Sequence, residues 1–166
     1  MNYKKYLLIG IPILFILGSL FHFIYEWSGK NFMVGLIFPI NESIWEHLKL
    51  ALLPITLYWL AYPYLTLQVS KGKWYFSTFI SIIFAMLTIV AFYYTYTGAF
   101  GFESLILDMF SLLLGLTVGQ LLGSHFYTYG FDAPIYISKI LIISLFIIFI
   151  LFTILPPNLP IFQSPV

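Results

Sequence analysis

The sequence predicts an all-α integral membrane protein, a bundle of about five transmembrane helices. Of its 166 residues, 61% are apolar, 21% are aromatic and only 8% are charged. A soluble domain carries about 25% charged residues, so these few charges cannot cover a water-facing surface of this size. The apolar residues gather in runs of about 20, the length that an α-helix needs to cross the hydrocarbon core. Lipid is therefore the expected solvent for most of the surface.

The long apolar runs predict a single transmembrane domain over residues 1–166, because they lack the alternating polarity of barrel strands. A turn at residues 97–101 ends the predicted third helix, and the prolines at 156–157 end the fifth. Pro54 and Pro63 predict a kink or an early end in the second helix. The predicted helices cover about residues 6–26, 42–67, 73–97, 102–127 and 135–155.

The lysines are distributed unevenly between the two sides of the predicted bundle. Cytoplasmic loops are enriched in Lys and Arg, so the side richer in lysine is expected to face the cytoplasm. This predicts a cytoplasmic N-terminus and an outer C-terminus. The cytoplasmic side carries Lys4, Lys5, Lys71, Lys73 and Lys139, and the outer side carries Lys30 and Lys49.

The connection between the first and second helices has an apolar part. Residues 28–31 form a polar turn, and residues 32–40 are apolar but too short to cross the bilayer. We expect residues 32–40 to form a short interfacial or re-entrant segment on the outer side.

Composition excludes several classes of function. The net charge of +1 argues against a nucleic-acid partner. The chain has no cysteine, which excludes disulfides and thiolate metal sites. It also has neither a phosphate-binding glycine loop nor the nucleophile elbow of a hydrolase.

Most of the other ionisable residues gather near the predicted outer ends of the first, second and fourth helices. His22 and Glu26 are four residues apart and so share a helical face. Glu42 and Glu46 have the same spacing. Imidazole and carboxylate groups are usual ligands of Zn, Mn and Fe in proteins. The sequence therefore predicts a divalent-metal site with the candidate ligands His22, Glu26, Glu42, Glu46 and His47.

The same residues also have an explanation that requires no ligand. Ser43, followed three residues later by Glu46, matches a helix capping box. Asn41 is an alternative cap, which would place Glu42 in the first turn, where the helix dipole favours a carboxylate. The polar end of the first helix would then be an exposed pair at headgroup level.

Asp108 is a carboxylate inside the predicted fourth helix, roughly 9 Å from a start at Phe102 at 1.5 Å per residue. At that depth it should face the bundle and have a partner or a proton. Lys49 lies at a matching depth, which predicts an Asp108–Lys49 ion pair or a shared hydrogen-bond network. The candidate catalytic residues, as general base or orienting groups, are Glu46, Lys49 and Asp108.

A small residue recurs every four positions along the predicted fourth helix, and such a stripe lets another helix backbone approach closely. That helix belongs either to the same chain or to a second copy. Besides the lipid bilayer, a homodimer through this face is therefore an expected partner. The stripe consists of Ser111, Gly115, Gly119 and Gly123.

Two motifs lie at the predicted outer side, HFIYEWS at residues 22–28 and NESIWEHLK at residues 41–49. Together with Asp108 and features at residues 96–98, 119–120 and 156–162, they resemble an uncharacterised family of small polytopic bacterial membrane proteins. The resemblance implies a multi-pass protein of the bacterial cytoplasmic (inner) membrane. Because that family has no established activity, the resemblance assigns no catalytic role to any residue.

Three functions fit these observations. The first is a metal-dependent membrane enzyme, such as a hydrolase acting on lipid or peptide near the outer leaflet. The second is a small permease or an ion-handling protein, in which buried charged residues form a relay. The third is a non-catalytic assembly or interaction protein, whose polar motifs stabilise the fold.

Overall fold

A computed structural model describes residues 2–66 and 69–164, and no β-strand occurs within these two ranges. The helices are α1 (Tyr3–Phe21), α2 (Ile24–Trp27), α3 (Phe32–Gly35), α4 (Ile44–His47), α5 (Lys49–Leu65), α6 (Lys71–Phe100), α7 (Leu105–Tyr129) and α8 (Ile135–Ile154), followed by a short 3-10 turn at Pro160–Phe162.

Five helical segments are long and apolar enough to cross a membrane. Four of them are α1, α6, α7 and α8. The fifth is the span Ile44–Leu65, in which α4 and α5 are interrupted only at Leu48. The predicted all-α class and the predicted number of spans are confirmed.

Two helix ends differ from the predicted ones for local reasons. α1 ends at Phe21 rather than near residue 26, because the Phe23 N–H bonds to Leu20 O and tightens the last turn. α6 continues past Gly98 to Phe100. It ends where Gly101 takes the left-handed conformation with φ of 72°. The predicted end of the second helix at residue 67 lies outside the described residues.

The small-residue stripe of α7 packs against α6 of the same chain. A Cβ at Gly119 would lie 2.5 Å from Ser81 O, and one at Gly115 would lie 2.8 Å from Ala85 O. The two helices therefore touch backbone to backbone along this face. The stripe is buried within one chain, so it does not offer the exposed face that the expected homodimer would need.

The ionisable residues divide between the two ends of the bundle. At one end, which we call the site end, the C-termini of α1, α6 and α8 meet the N-termini of α4 and α7. This end carries Glu26, Glu42, Glu46, Glu103 and Asp108, with Lys30 and Lys49. The opposite end, the lysine end, carries Lys4, Lys5, Lys71, Lys73 and Lys139, with Asp132.

Candidate metal centre

The end of α1 and the start of α4 position the side chains of the site. The end of α1 at Phe21 leaves His22 in the turn before α2. Ser43 caps α4 by accepting the Glu46 N–H at 3.3 Å, as the capping motif predicts. Glu42 therefore stands just before the helix, and His47 is the last residue of α4.

Glu42 lies between the two histidines. Its Oε1 is 3.6 Å from His22 Nε2, and its Oε2 is 3.3 Å from His47 Nε2. The two imidazole rings stack, with centroids 5.2 Å apart and planes inclined by 13°. One ligand atom from each of the three residues lies within 4.8 Å of the other two.

Hydrogen bonding orients the ring of His47. Its Nδ1 is 3.0 Å from Ser43 O, and its Nε2 is 3.3 Å from Glu42 Oε2. Both of these oxygens are acceptors, so both ring nitrogens donate in this arrangement, and a metal ion bound at Nε2 would replace the proton there. A ring nitrogen held by a backbone carbonyl, with the other one turned to the site, is the usual arrangement of a metal-binding histidine.

The electrostatics of the other two residues favour their ligand forms. Burial lowers the pKa of His22, and the neighbouring His47 adds to this effect against the opposing Glu42 carboxylate. The hydrogen bond with His47 holds the pKa of Glu42 below its ordinary value. At neutral pH His22 is therefore a neutral imidazole and Glu42 is a carboxylate.

The spacing of the three groups fits a small divalent ion. Bonds of about 2.1 Å at tetrahedral angles separate neighbouring ligand atoms by about 3.4 Å. The two His–Glu distances, 3.6 and 3.3 Å, are close to that separation, although they end on the two different oxygens of Glu42, and with one ligand atom per residue all separations lie within 4.8 Å. The side chains of His22, His47 and Glu42 remain 29%, 26% and 63% exposed, so a fourth ligand could reach an ion held there.

A cavity of about 430 Å³ opens beside the three residues at the site end. Its polar lining is acidic and includes Glu42, Glu103 and Asp108, but no lysine. Apolar side chains such as Leu50, Ile89 and Leu112 form much of the remaining wall.

Two tyrosines of α6 bind the acids on this side of the cavity, one in α7 and one in the loop before it. Tyr93 donates to Glu103, and Tyr96 donates to Asp108. Asp108 also interacts electrostatically with His47. These tyrosines are not among the candidate site residues that the sequence predicts. Their spacing of three residues on one helical face near two acids was the available signal.

Glu46 and Lys49 form a separate, buried ion pair. Lys49 Nζ lies 2.7 Å from Glu46 Oε2, and the two side chains are 2% and 3% exposed. Lys49 donates to Gly35 O at 2.9 Å, while Glu46 accepts from Ile40 N at 3.0 Å and from Thr153 Oγ1 at 2.9 Å. The pair thus ties the segment after α2 and helix α8 to α4.

This pair bears on three predictions, the Asp108–Lys49 contact and the catalytic roles of Glu46 and Lys49. Lys49 bonds to Glu46 and to backbone carbonyls, and no ion pair or hydrogen bond joins it to Asp108, although the structure describes both residues. Neither Glu46 nor Lys49 lines the cavity, so neither is placed to act on a substrate there. The reason is i,i+3 proximity within one helical turn, which brings Lys49 to Glu46 before it can reach α7.

Glu26 also lies apart from the candidate ligands. It pairs with Lys30 at 3.3 Å, and both side chains are more than half exposed. The early end of α1 removes the helical register that would have placed Glu26 beside His22. Of the five predicted ligands, the structure brings together His22, Glu42 and His47.

The comparisons with known proteins give one match. The model of a family of unknown function, DUF6512, matches residues 1–166. No curated protein and no solved structure matches the chain.

Proposed function

Because the chain belongs to DUF6512, a family of unknown function, we propose its function from the site itself: a membrane-embedded, metal-dependent hydrolase. Its metal ligands are His22, Glu42 and His47, and its substrate is an amphiphile bound in the adjacent cavity.

The convergence of two imidazoles and one carboxylate carries this proposal. Two histidines and a glutamate, with a fourth position open, form a known ligand set of catalytic zinc sites. A structural zinc site is closed by four protein ligands instead. Zinc bound in this way lowers the pKa of a coordinated water to about 7, which supplies a nucleophile at neutral pH. Manganese and iron accept the same donors.

Asp108 is the proposed general base. It lines the same cavity as the three ligands, and Tyr96 holds its carboxylate by a hydrogen bond. A carboxylate in the wall of the same cavity can accept the proton of the attacking water, directly or through one further water. Glu103, held by Tyr93, contributes further negative charge to that wall.

The cavity supports an amphiphilic substrate. Phe23, Leu105 and Met109 line it and are 49%, 75% and 43% exposed, so its rim is apolar and faces the surrounding lipid. A substrate could enter from the bilayer with its apolar part along this rim. Three carboxylates without a lysine favour a reacting end that is uncharged or cationic.

The interior of the bundle supports an enzyme rather than a permease. Leu112 and Ile89 belong to the cavity wall, and one turn or more deeper Leu116 of α7 and Ile82 of α6 are fully buried in the same apolar cluster. An ion crossing this layer would have to shed its water without polar replacements. The assembly-protein explanation suits Glu46 and Lys49, which act within the fold, but not the half-exposed Glu42.

The proposed setting is the cytoplasmic membrane of a bacterium, with the site end outside. The lysine distribution supports this orientation. The exposed apolar side chains of Phe32, Met33 and Ile37 support an interfacial position for the segment that Lys49 and Glu46 anchor. The metal would then act at the level of the outer headgroups.

Metal analysis of the purified protein tests the site. We expect about one zinc ion per chain after washing, as for a specific site. The His47→Ala and Glu42→Gln variants should lose it. His125→Ala and Glu26→Gln remove the same groups away from the cluster and should retain it. Absence of metal from the wild type, or equal loss in all four variants, would reject the site.

A second measurement separates hydrolysis from metal binding. The protein is incubated with bacterial lipid extract in water labelled with oxygen-18, and the products are analysed by mass spectrometry. We expect the label in one released product for the wild type and none for Asp108→Asn, which should keep its metal. A metal-loaded wild type that incorporates no label would leave a metal site and reject the hydrolase.

A further inference from the structure

A groove at the lysine end lies far from the proposed metal site. It has a volume of about 260 Å³ and lies between α1 and α7. Its polar lining consists of residues that carry N–H or O–H donors, and no carboxylate belongs to it. These residues are Lys4, Gln120, Ser124, His125, Thr128 and Tyr129.

Gln120 supplies an unpaired donor in the wall of this groove. The residue is 1% exposed, and its Nε2 has no hydrogen-bond partner among the described residues. The amide orientation is fixed on the other side. Trp59 Nε1 donates to Gln120 Oε1 at 2.9 Å, and an indole N–H cannot accept. A buried amide donor without an acceptor is costly, so an acceptor from a ligand would stabilise it.

We propose that this groove binds the phosphate headgroup of an anionic phospholipid. Lys4 and His125 line the groove and are exposed, so they can bind phosphate oxygens at its surface. Gln120 lies nine residues before Tyr129, which places it roughly 14 Å along α7 at 1.5 Å per residue. That greater depth suits an ester carbonyl of the lipid as the acceptor for Nε2.

The depth and the apolar lining favour a lipid over a free anion. Leu8 and Leu121 line the groove and are 54% and 50% exposed, so the groove is open toward acyl chains. A soluble phosphate would use only the outer donors. The charge of this end also favours an anionic lipid, because four further lysines lie there. The acid at this end, Asp132, accepts a hydrogen bond from Ser70. Anionic lipids are concentrated in the leaflet that such lysine-rich ends face.

Native mass spectrometry with mixed lipids tests this site, and the chain offers a matched pair of variants. The protein is released from nanodiscs of phosphatidylglycerol and phosphatidylcholine, and the bound lipids are counted. We expect selective retention of one phosphatidylglycerol. Lys4→Gln should weaken its retention about fivefold, the usual effect of one lysine near an anionic surface. Lys5→Gln removes the same charge from the next residue, which does not line the groove, and should leave retention unchanged.

Three results would overturn the proposal. Equal retention of both lipids would show that the groove does not select an anion. Equal weakening by the two variants would show attraction to the lysine end as a whole. Displacement of the lipid by inorganic phosphate at millimolar concentration would identify a soluble anion as the ligand. None of these results bears on the metal site, because His22, Glu42 and His47 lie at the other end.

Discussion

The imidazole rings of His22 and His47 lie stacked, 5.2 Å apart between centroids, although 25 residues separate them in the sequence. Two protonated imidazoles would repel at this distance, so the arrangement favours at most one positive charge. Glu42 bridges both rings and stabilises that charge, or shares a metal with them. The relationship therefore has consequences for pH dependence as well as for metal binding.

Acidification should destabilise the metal-free protein. The pKa values of His22 and Glu42 are both lowered in the fold, by burial and by the hydrogen bond with His47 respectively. The unfolded chain therefore binds these two protons more readily, and stability falls as pH drops through the lowered pKa values. The midpoint of thermal unfolding in EDTA should decrease from pH 7 toward pH 4. The His22→Gln variant, which leaves the Glu42–His47 hydrogen bond in place, should show a shallower decrease. An equal or steeper decrease in that variant would contradict the assignment.

The buried Glu46–Lys49 pair should contribute far more to stability than the exposed Glu26–Lys30 pair. Removing one partner leaves an uncompensated buried charge, so Glu46→Gln should lower the free energy of unfolding by about 3–5 kcal/mol. The matched variant Glu26→Gln should cost no more than about 1 kcal/mol, because water screens that pair. Reversible unfolding in a denaturing detergent measures both values. Similar costs for the two variants would show that the buried pair is not a structural anchor.

The sequence predicted the five spans because lipid leaves little freedom to a long uncharged run. It also indicated two candidate caps for the second span, Asn41 and Ser43, and Ser43 is the one that caps α4, because capping depends on residues within one turn. The i,i+3 spacing was a local signal that Lys49 pairs with Glu46 rather than with Asp108. The position of Glu26 had no such signal, because it depends on where α1 ends. A helix end responds to a single backbone bond, such as that of Phe23 with Leu20.

The candidate metal site was also predicted only in part from the sequence. The chain's residue types indicated imidazole and carboxylate ligands, and three of the five proposed residues do meet. Glu26 was included on i,i+4 spacing, which holds only while the helix continues. The roles of Tyr93 and Tyr96 depend on contacts with α7 and its preceding loop, and their three-residue spacing does not by itself specify which acid each tyrosine meets.

The glycine stripe gives a prediction about packing within the chain. In Gly119→Ala the added Cβ would meet Ser81 O at 2.5 Å, so α6 and α7 must separate. We expect this variant to lose about 1–3 kcal/mol of stability, the usual cost of overpacking. Gly98→Ala is the control, since Gly98 is helical and its Cβ would meet nothing within 4 Å. It should gain up to about 1 kcal/mol from higher helix propensity. A Gly119→Ala variant as stable as the wild type would argue against this helix contact.

The orientation of the bundle can be read from single cysteines, because the chain contains none of its own. Lys30 lies at the site end and Lys71 at the lysine end, and both are exposed. If the lysine-rich end is cytoplasmic, an impermeant maleimide should label Lys30→Cys in intact cells, and Lys71→Cys only after the membrane is opened. The reverse pattern would place the metal site on the cytoplasmic side and exclude a substrate from the outer leaflet. Labelling of both variants in intact cells would indicate two orientations and remove the lysine distribution as a guide to topology.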